Sequence, residues 1–427
     1  MLIKQKQFIF DSKMIAKIAA TGFIMLMLSM QIIAIPIWEN NDSINLLSPI
    51  GEISNNDVFL VWKPNKNYLL YFVYIGENES NLKLVGVTIR PFFKIKLDDG
   101  KTYFWRVAGF DGKFITMSEI KTFKIKEKND WTVMIYLNGD NNLYEYAMNE
   151  LNKIKNISSA NIVVLFDGNK ENDTFLYCIK NSSKTVFKLN EINMGDGTAL
   201  KYLIEYSMQF YPAEHYILEI WGHGAGWMGV CFDKTDMDML SLNEIKDAIE
   251  KKIDIVIFNA CYMGCVEVAY SLKDVANYMI ACEGALPVGS LSHDFLKDVS
   301  GDAESIGKKI IEKFNHTASI STSLALWNLS KLDELVKAIN NFAMHHNISW
   351  EFRNASAYSL QYVDLFEYAE LYNATSLINA INETIVAFSG KKVGIGIYFP
   401  LPQYVSKYYQ NLDFCKISIW GELIRSN

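Results

Sequence analysis

Cysteine is scarce in this chain of 427 residues, and its six copies are irregularly spaced. A disulfide framework needs many cysteines in a short chain, so that class of scaffold is excluded, although one or two bridges are compatible with the count. Cys261 and Cys265 lack the paired C-x-x-C spacing of a zinc site. The cysteines therefore indicate neither a disulfide scaffold nor a structural zinc protein.

Long blocks of one charge are also missing. The formal net charge is -7, with acidic and basic residues interspersed. Nucleic-acid binding requires a basic patch, so no nucleic-acid partner is expected. The sequence has no internal repeat and no low-complexity segment, and its 50% hydrophobic residues predict one or two sizeable cores.

Apolar runs of membrane-spanning length are confined to the N-terminus, where residues 18–38 follow four lysines. This order is typical of an export signal, and about 20 apolar residues are also enough to span a bilayer. Residues 1–38 are interpreted as a cleaved signal peptide or a retained membrane anchor, with a buried core helix as the third alternative. Eleven Asn-x-Ser/Thr sequons agree with an extracellular or cell-surface glycoprotein; an asparagine-rich composition is the plain alternative.

Short alternating apolar runs, separated by turn residues, extend from about Asn45 to Ile125. Six or so strands at this spacing predict a small β-sandwich. With Trp62 and Tyr103 as core aromatic residues, the segment resembles fibronectin type III domains, which implies an accessory or spacer domain at residues 39–126.

Residues 127–427 show a different pattern, in which continuous apolar strands alternate with amphipathic helices. This alternation predicts an α/β domain with a mostly parallel sheet covered by helices on both faces. Ser241 with Glu244, and Ser330 with Asp333, have the spacing expected at helix N-termini.

Two of the predicted strands, Tyr216–Trp221 and Ile253–Phe258, are followed by His223 and Cys261. Ligands bind beyond the carboxyl ends of strands in such sheets, so an imidazole and a thiol are expected side by side. Cys261 also precedes a segment of helical character, and a helix N-terminus favours the nucleophilic thiolate. The alternatives are a packed structural cysteine and a histidine in a turn.

The glycines around His223 allow close approach of a peptide. They also leave backbone N–H groups free for a developing oxyanion, for which Gly224 and Cys261 are the candidates. In this arrangement Cys261 attacks a carbonyl carbon and His223 transfers the proton to the leaving amine.

The chain from Trp131 to Glu422 resembles the clostripain family of cysteine peptidases, relatives of caspases, gingipains and legumain. The resemblance implies a caspase-like α/β fold and matches His223 and Cys261 to the catalytic dyad of the family. Five segments in the family's order carry it: WTVMIYLNGDNNL (131–143), INMGDG (192–197), IWGHGAGW (220–227), FNACYMG (258–264) and GIGIYFPLPQY (394–404), the last followed by Trp420.

The sequence departs from the family at the residues expected to bind the substrate side chain. Family members cut after Arg or Lys and usually have Asp two residues before the nucleophile, where this chain has Asn259. Glu283 is the alternative source of a carboxylate, so the preference at P1, the residue before the cut, stays open between basic and other side chains. Family members often cut their own chain between the dyad residues, and Lys234 is the candidate position here.

These observations predict an exported cysteine endopeptidase with a peptide or protein substrate and no required cofactor. The acidic segment from Asp233 to Asp238 leaves calcium open, with a solvated loop as the other interpretation. The main alternative function is a catalytically inactive surface binding or adhesion protein that retains the caspase-like fold. A third is an acyl transferase with the same Cys-His chemistry, and no oligomeric state is indicated.

Overall fold

The computed structural model describes residues 44–53, 56–125, 129–155, 160–180, 183–314, 323–347 and 349–425. The predicted signal or anchor lies outside these residues, as do the sequons at Asn41, Asn156, Asn181 and Asn315. Within the described ranges, no helix combines the length and apolarity needed to cross a membrane. The chain divides into two compact units, Met1–Lys126 and Glu127–Asn427.

The first unit is made of β-strands. Three of them form one sheet in the order β1-β3-β6, and the others form a second sheet in the order β2-β9-β7-β4-β5, with β8 paired to β7. The described strands are β1 (Asn45–Ser48), β2 (Gly51–Ile53), β3 (Asp57–Lys63), β4 (Leu70–Gly76), β5 (Lys83–Thr88), β6 (Phe92–Lys96), β7 (Thr102–Phe110), β8 (Ile115–Met117) and β9 (Lys121–Ile125).

One apolar core joins the two sheets. Side chains alternate between core and solvent along β3, where Val58, Leu60 and Trp62 are buried and their neighbours are more exposed. Trp62 and Tyr103 both lie in this core, as predicted. The alternating runs therefore form the β-sandwich that the sequence indicates.

The second unit is built on a sheet of nine strands in the order β13-β12-β11-β10-β14-β17-β18-β19-β21. Its five central strands are mutually parallel, in the order β11-β10-β14-β17-β18. The strands at both edges pair antiparallel. The strands of this unit are β10 (Asn129–Asn138), β11 (Asn161–Asp167), β12 (Phe175–Lys180), β13 (Ser183–Lys188), β14 (Ala213–Trp221), β15 (Val230–Asp233), β16 (Asp238–Leu240), β17 (Ile253–Asn259), β18 (Ala276–Cys282), β19 (Leu324–Asn328), β20 (Tyr362–Asp364), β21 (Ile385–Ser389) and β22 (Gly396–Tyr398).

The continuous apolar runs arise because the central strands are buried on both faces. Along β10, Met134 and Tyr136 enter one core while Val133 and Ile135 enter the other. A strand with one solvated face would show alternation instead. The predicted α/β fold with a largely parallel sheet is confirmed.

Helices cover both faces of this sheet. Leu151 of α1 and Ile310 of α5 pack in the core on one face, whereas Leu200 of α2 and Val268 of α4 pack in the core on the other. The described helices are α1 (Tyr144–Ile154), α2 (Gly197–Phe210), α3 (Leu242–Ala248), α4 (Val266–Leu272), α5 (Ala303–Glu312), α6 (Leu332–His345), α7 (Trp350–Ser356), α8 (Leu365–Leu371), α9 (Thr375–Thr384), α10 (Asp413–Ile417) and α11 (Trp420–Leu423).

One of the two predicted helix caps forms. The Ser241 side chain accepts from the backbone N–H of Glu244, and the Glu244 carboxylate accepts from the N–H of Ser241, which is a complete capping box for α3. The cap predicted at Ser330 is wrong. Ser330 lies in a 3₁₀ turn capped by the Asn328 side chain, and α6 begins after it without a side-chain cap.

Candidate active site

The strand order places three loops next to one another at the carboxyl edge of the sheet. Strands β10, β14 and β17 are neighbours in the sheet and run parallel to one another. Trp221 of β14 is paired with Asn259 of β17. The residues that follow these strands include Asn142, His223 and Cys261. The sheet thus brings together the two loops that carry His223 and Cys261, with the β10 loop on the other side of β14.

His223 is half-buried and contacts the β10 loop. Its Nε2 lies 2.8 Å from Asn142 Oδ1. An amide oxygen can only accept, so Nε2 carries the hydrogen and Nδ1 of the neutral ring is free to take a proton. Burial lowers the pKa of His223 below its ordinary value, which favours that neutral ring at neutral pH.

Cys261 is half-buried, and none of the six cysteines is paired. Its Sγ accepts the backbone N–H of Leu286 at 3.3 Å. The predicted helix N-terminus at Cys261 is wrong, because α4 begins at Val266 and its N-cap is Cys265. Cys261 occupies a turn in which Tyr262 has φ +62°, and its sulfur also lies 3.8 Å from the carbonyl oxygen of Leu286, to which the thiol donates.

Gly224 brings the two loops into backbone contact. A Cβ atom at this position would lie 2.2 Å from the carbonyl oxygen of Cys261 and 3.0 Å from its nitrogen, so only glycine permits the approach. Among the described residues, no acceptor takes the N–H of Gly224 or of Cys261. Two unused backbone donors therefore lie on loops that touch.

Asn259, predicted to bind substrate, lies in a buried polar network. It is 7% exposed, and its Nδ2 donates to Glu219 Oε1 at 2.9 Å. The ring of His293 links two carboxylates, with Nε2 2.9 Å from Glu219 Oε1 and Nδ1 2.8 Å from Glu150 Oε2. The nearby carboxylates raise the pKa of His293 to about 9 in spite of its burial, so the ring is an imidazolium between two carboxylates.

Glu283, the second predicted substrate-binding residue, follows β18 and is completely buried. Burial, together with the neighbouring Asp364, raises its pKa well above the ordinary value. The protonated form of Glu283 is therefore favoured, and it offers no negative charge to a substrate.

Several residues of the site were missed in the sequence. Glu219 interrupts an apolar strand, and a buried carboxylate requires a polar or charged partner. The sequence therefore contained a signal for a buried polar contact at this position. Nothing in the sequence pairs it with Glu150 or His293, which lie far from it along the chain. Asn142 and Leu286 lie in loops and contact His223 and Cys261 respectively, and they carry no local signal of their own.

A half-buried thiol and a half-buried imidazole, on touching loops at the carboxyl edge of an α/β sheet, are features of cysteine-dependent hydrolases. A model of the clostripain family matches residues 135–395, and the chain belongs to this family of cysteine peptidases. Clostripain of Hathewaya histolytica is 28% identical over 209 residues, a match that covers 38% of this chain. The chain spans 40% of the length of that relative.

Solved structures show the same fold. An inactive zymogen of a C11 protease from Parabacteroides distasonis matches 69% of this chain and 99% of its own, with 20% identity and a TM-score of 0.57. A secreted C11 cysteine protease from Bacteroides thetaiotaomicron, solved with an irreversible peptide inhibitor, matches 68% of this chain and 99% of its own, with 21% identity and a TM-score of 0.56.

Proposed function

We propose that this chain is an exported cysteine endopeptidase in which Cys261 is the nucleophile and His223 the proton carrier. The observation that carries the proposal is the backbone contact between Gly224 and Cys261, which holds the two loops together at the edge of the sheet. The family membership supports the same reaction class. A half-buried thiol is reachable by a substrate, and this accessibility disfavours the inactive binding protein.

In the proposed reaction, His223 Nδ1 takes the proton of the Cys261 thiol, and the sulfur attacks the carbonyl carbon of the peptide bond. The negative charge on the carbonyl oxygen is stabilised by the N–H groups of Gly224 and Cys261. The C–N bond then breaks, and the imidazolium protonates the leaving amine. Water, deprotonated by His223, hydrolyses the thioester and restores the thiol.

Asn142 is proposed to position the His223 ring. Its Oδ1 holds Nε2–H, which keeps Nδ1 as the basic atom. The same acceptor stabilises the imidazolium during the reaction, because a hydrogen bond strengthens when its donor becomes charged.

The first test is cleavage of a mixed peptide library by the purified chain, followed by mass spectrometry, before and after treatment with iodoacetamide. We expect cuts that disappear as Cys261 is alkylated. Cys415, also partly buried, serves as the internal control because its modification should leave the cuts unchanged. The proposal would be refuted if neither the intact chain nor a chain nicked after Lys234 through an engineered site cleaved any peptide of the library.

The nick is placed at Lys234 because this residue is exposed in the turn between β15 and β16. An exposed hairpin turn is accessible to a second peptidase molecule. We propose this turn as the position of any self-cleavage, which the same mass spectra would reveal as a new chain end after Lys234.

We further propose that P1 is not restricted to Arg or Lys. The support is electrostatic: Glu150 and Glu219 are balanced by the imidazolium of His293 and by Lys153, whose Nζ lies 2.8 Å from Glu150 Oε1. Asn259 itself brings no charge. The expected result is a library pattern in which cuts after uncharged residues predominate.

A matched variant sharpens this specificity test. Asn259→Asp introduces a carboxylate beside Glu219, and a cationic P1 side chain would relieve the repulsion between them. The ratio of kcat/KM for peptides with Arg or Lys at P1 to kcat/KM for peptides with an uncharged P1 should rise by about tenfold or more, which corresponds to one charge-assisted hydrogen bond. Cuts confined to Arg and Lys in the unmodified chain would contradict the proposal.

Residues 39–126 are proposed to be a fibronectin type III-like spacer that precedes the peptidase domain at residues 127–427. The support is the sandwich of a three-stranded sheet and a larger sheet around Trp62 and Tyr103. Export is supported by the sequons at Asn78, Asn172 and Asn354, whose side chains are exposed.

A further inference from the structure

Three tyrosine rings stack beside Cys261. Tyr262, the residue that follows Cys261, stacks on Tyr362 of β20, with ring centroids 6.3 Å apart and planes 15° from parallel. Tyr358 also stacks on Tyr362, at 6.2 Å and 13°. Tyr362 is the ring common to both stacks, and it is 2% exposed. The loop of Cys261 therefore packs against a buried side chain from a distant part of the chain.

The hydroxyl of Tyr362 reaches the loop of His223, where it accepts the backbone N–H of Trp227 at 3.2 Å. Gly226 makes room for this contact. A Cβ atom at Gly226 would lie 2.0 Å from the hydroxyl oxygen and 2.6 Å from the ring carbon that bears it. One buried side chain thus contacts the loops of both dyad residues.

The loop of His223 is folded back on itself. The N–H of Cys231 donates to the carbonyl oxygen of His223 at 2.8 Å, and the N–H of Ala225 donates to the carbonyl oxygen of Gly229 at 2.9 Å. Trp227 lies between the two arms that these bonds join. The position of Trp227 therefore helps to fix the position of His223.

Tyr362 itself belongs to a well-anchored part of the domain. Strand β20 pairs antiparallel with β22, where Tyr362 is opposite Tyr398, and the two rings meet edge to face at 5.8 Å. Strand β22 is tied in turn to the segment after Cys261, because the N–H of Gly396 donates to the carbonyl oxygen of Gly264 at 2.8 Å. Both loops are held against one fixed ring.

The stack also supports an unfavourable backbone conformation next to the thiol. Tyr262 has φ +62°, in the left-handed region that a residue with a Cβ atom seldom adopts. Its N–H donates to the carbonyl oxygen of Gly284 at 2.9 Å, and its ring contact with Tyr362 adds a second restraint. The turn that presents Cys261 is thus held partly by Tyr362.

We propose that Tyr362 is a positioning residue, which holds the loop of His223 at reacting distance from the thiol of Cys261. Proton transfer and attack require aligned groups, and a displacement of about 1 Å can cost on the order of 100-fold in rate. Tyr362 acts through the two loops and takes no part in the bond changes. The inference rests on the proposed function, because it assumes the roles given there to His223 and Cys261.

Three variants test this role. Tyr362→Phe keeps the ring and removes the hydroxyl, whereas Tyr362→Leu removes the stack as well. Tyr368→Phe is the matched control, because it removes a hydroxyl from another buried tyrosine of the same core, one that packs against Phe399 and Trp420. On a peptide taken from the library cuts, kcat should fall about tenfold for Tyr362→Phe and about 100-fold for Tyr362→Leu, with KM within about twofold. The control should keep kcat within about twofold of the unmodified chain.

A second readout does not depend on peptide hydrolysis. The rate at which iodoacetamide alkylates Cys261 near neutral pH, followed by mass spectrometry with Cys415 as reference, reports how readily His223 removes the proton of the thiol. Tyr362→Phe should slow this alkylation about tenfold. In the His223→Ala chain the same substitution should change the rate by less than about twofold, because the group that Tyr362 positions is absent.

Thermal midpoints show that each variant is folded, and Tyr362→Phe retains the buried ring if Tyr362→Leu does not fold. Unchanged kcat and unchanged alkylation in Tyr362→Phe would overturn the proposal, as would equal slowing with and without His223. Faster alkylation with a lower midpoint would overturn it too, because loosened packing exposes the thiol without misplacing its base. If the unmodified chain cuts no peptide, the proposed function fails, and the alkylation rates still decide whether Tyr362 acts through His223.

Discussion

Replacing Cys261 with alanine is expected to lower kcat/KM for peptide hydrolysis by about 10⁴-fold or more, because the thiols of Cys265 and Cys282 are buried and cannot take its place in the attack. Its stability should change little, since the half-buried thiol is hydrogen-bonded only to the backbone of Leu286 among the described residues, accepting from its N–H and donating weakly to its carbonyl oxygen. The measurement is the initial rate on a peptide taken from the library cuts, with Cys415→Ala as the matched control.

The double variant tests whether Cys261 and His223 act as a unit. His223→Ala alone should cost nearly as much activity as Cys261→Ala, and the two together should be scarcely worse than either one, because removing one member already disables the proton transfer. Activity of Cys261→Ala above about one hundredth of the unmodified rate would exclude a covalent role for this thiol.

Replacing His293 with alanine is expected to reduce the free energy of unfolding by about 3–5 kcal/mol, the cost of breaking a buried ion pair. The variant leaves Glu150 and Glu219 facing each other across the cavity of the lost ring. Lys153 compensates only one of them. Urea unfolding near pH 7 measures the loss, and the exposed His345→Ala serves as the control.

The pH dependence of the stability follows from the protonation of His293. The pKa of His293 is raised to about 9 in the folded chain, above its ordinary 6.5, so its contribution is fully present below pH 6.5 and is lost as the pH rises through 9. The shift corresponds to about 3 kcal/mol. The pKa of Glu150 is lowered by its contacts with His293 and Lys153 despite its burial, so its contribution is lost in acid instead.

Between pH 6.5 and pH 9.5, the free energy of unfolding of the unmodified chain should therefore fall by more than that of His293→Ala. Parallel stability curves for the two proteins between these pH values would contradict an imidazolium at this position. His293→Gln provides a second check, because it can keep one hydrogen bond to a carboxylate but loses the charge.

Much of the fold was predictable because the pattern of apolar residues reflects burial directly. Continuous runs such as those at β10 and β11 identify strands covered on both faces, and alternation in β3 identifies a strand covered on one. Local polar signals were less dependable. The cap at Ser241 forms, but Ser330 is displaced by Asn328, whose side chain competes for the same turn.

The order of two units of different class, and the position of His223 and Cys261 after strands of one sheet, could be predicted from the sequence alone. The residues that surround His223 and Cys261 could not. The N–H of Leu286 on the sulfur, Asn142 on the imidazole and the Glu219 partner of Asn259 all come from loops or strands distant in the chain. Periodicity reflects only which face of an element is buried, whereas the partner of a polar group depends on strand order and loop path, which no local pattern encodes.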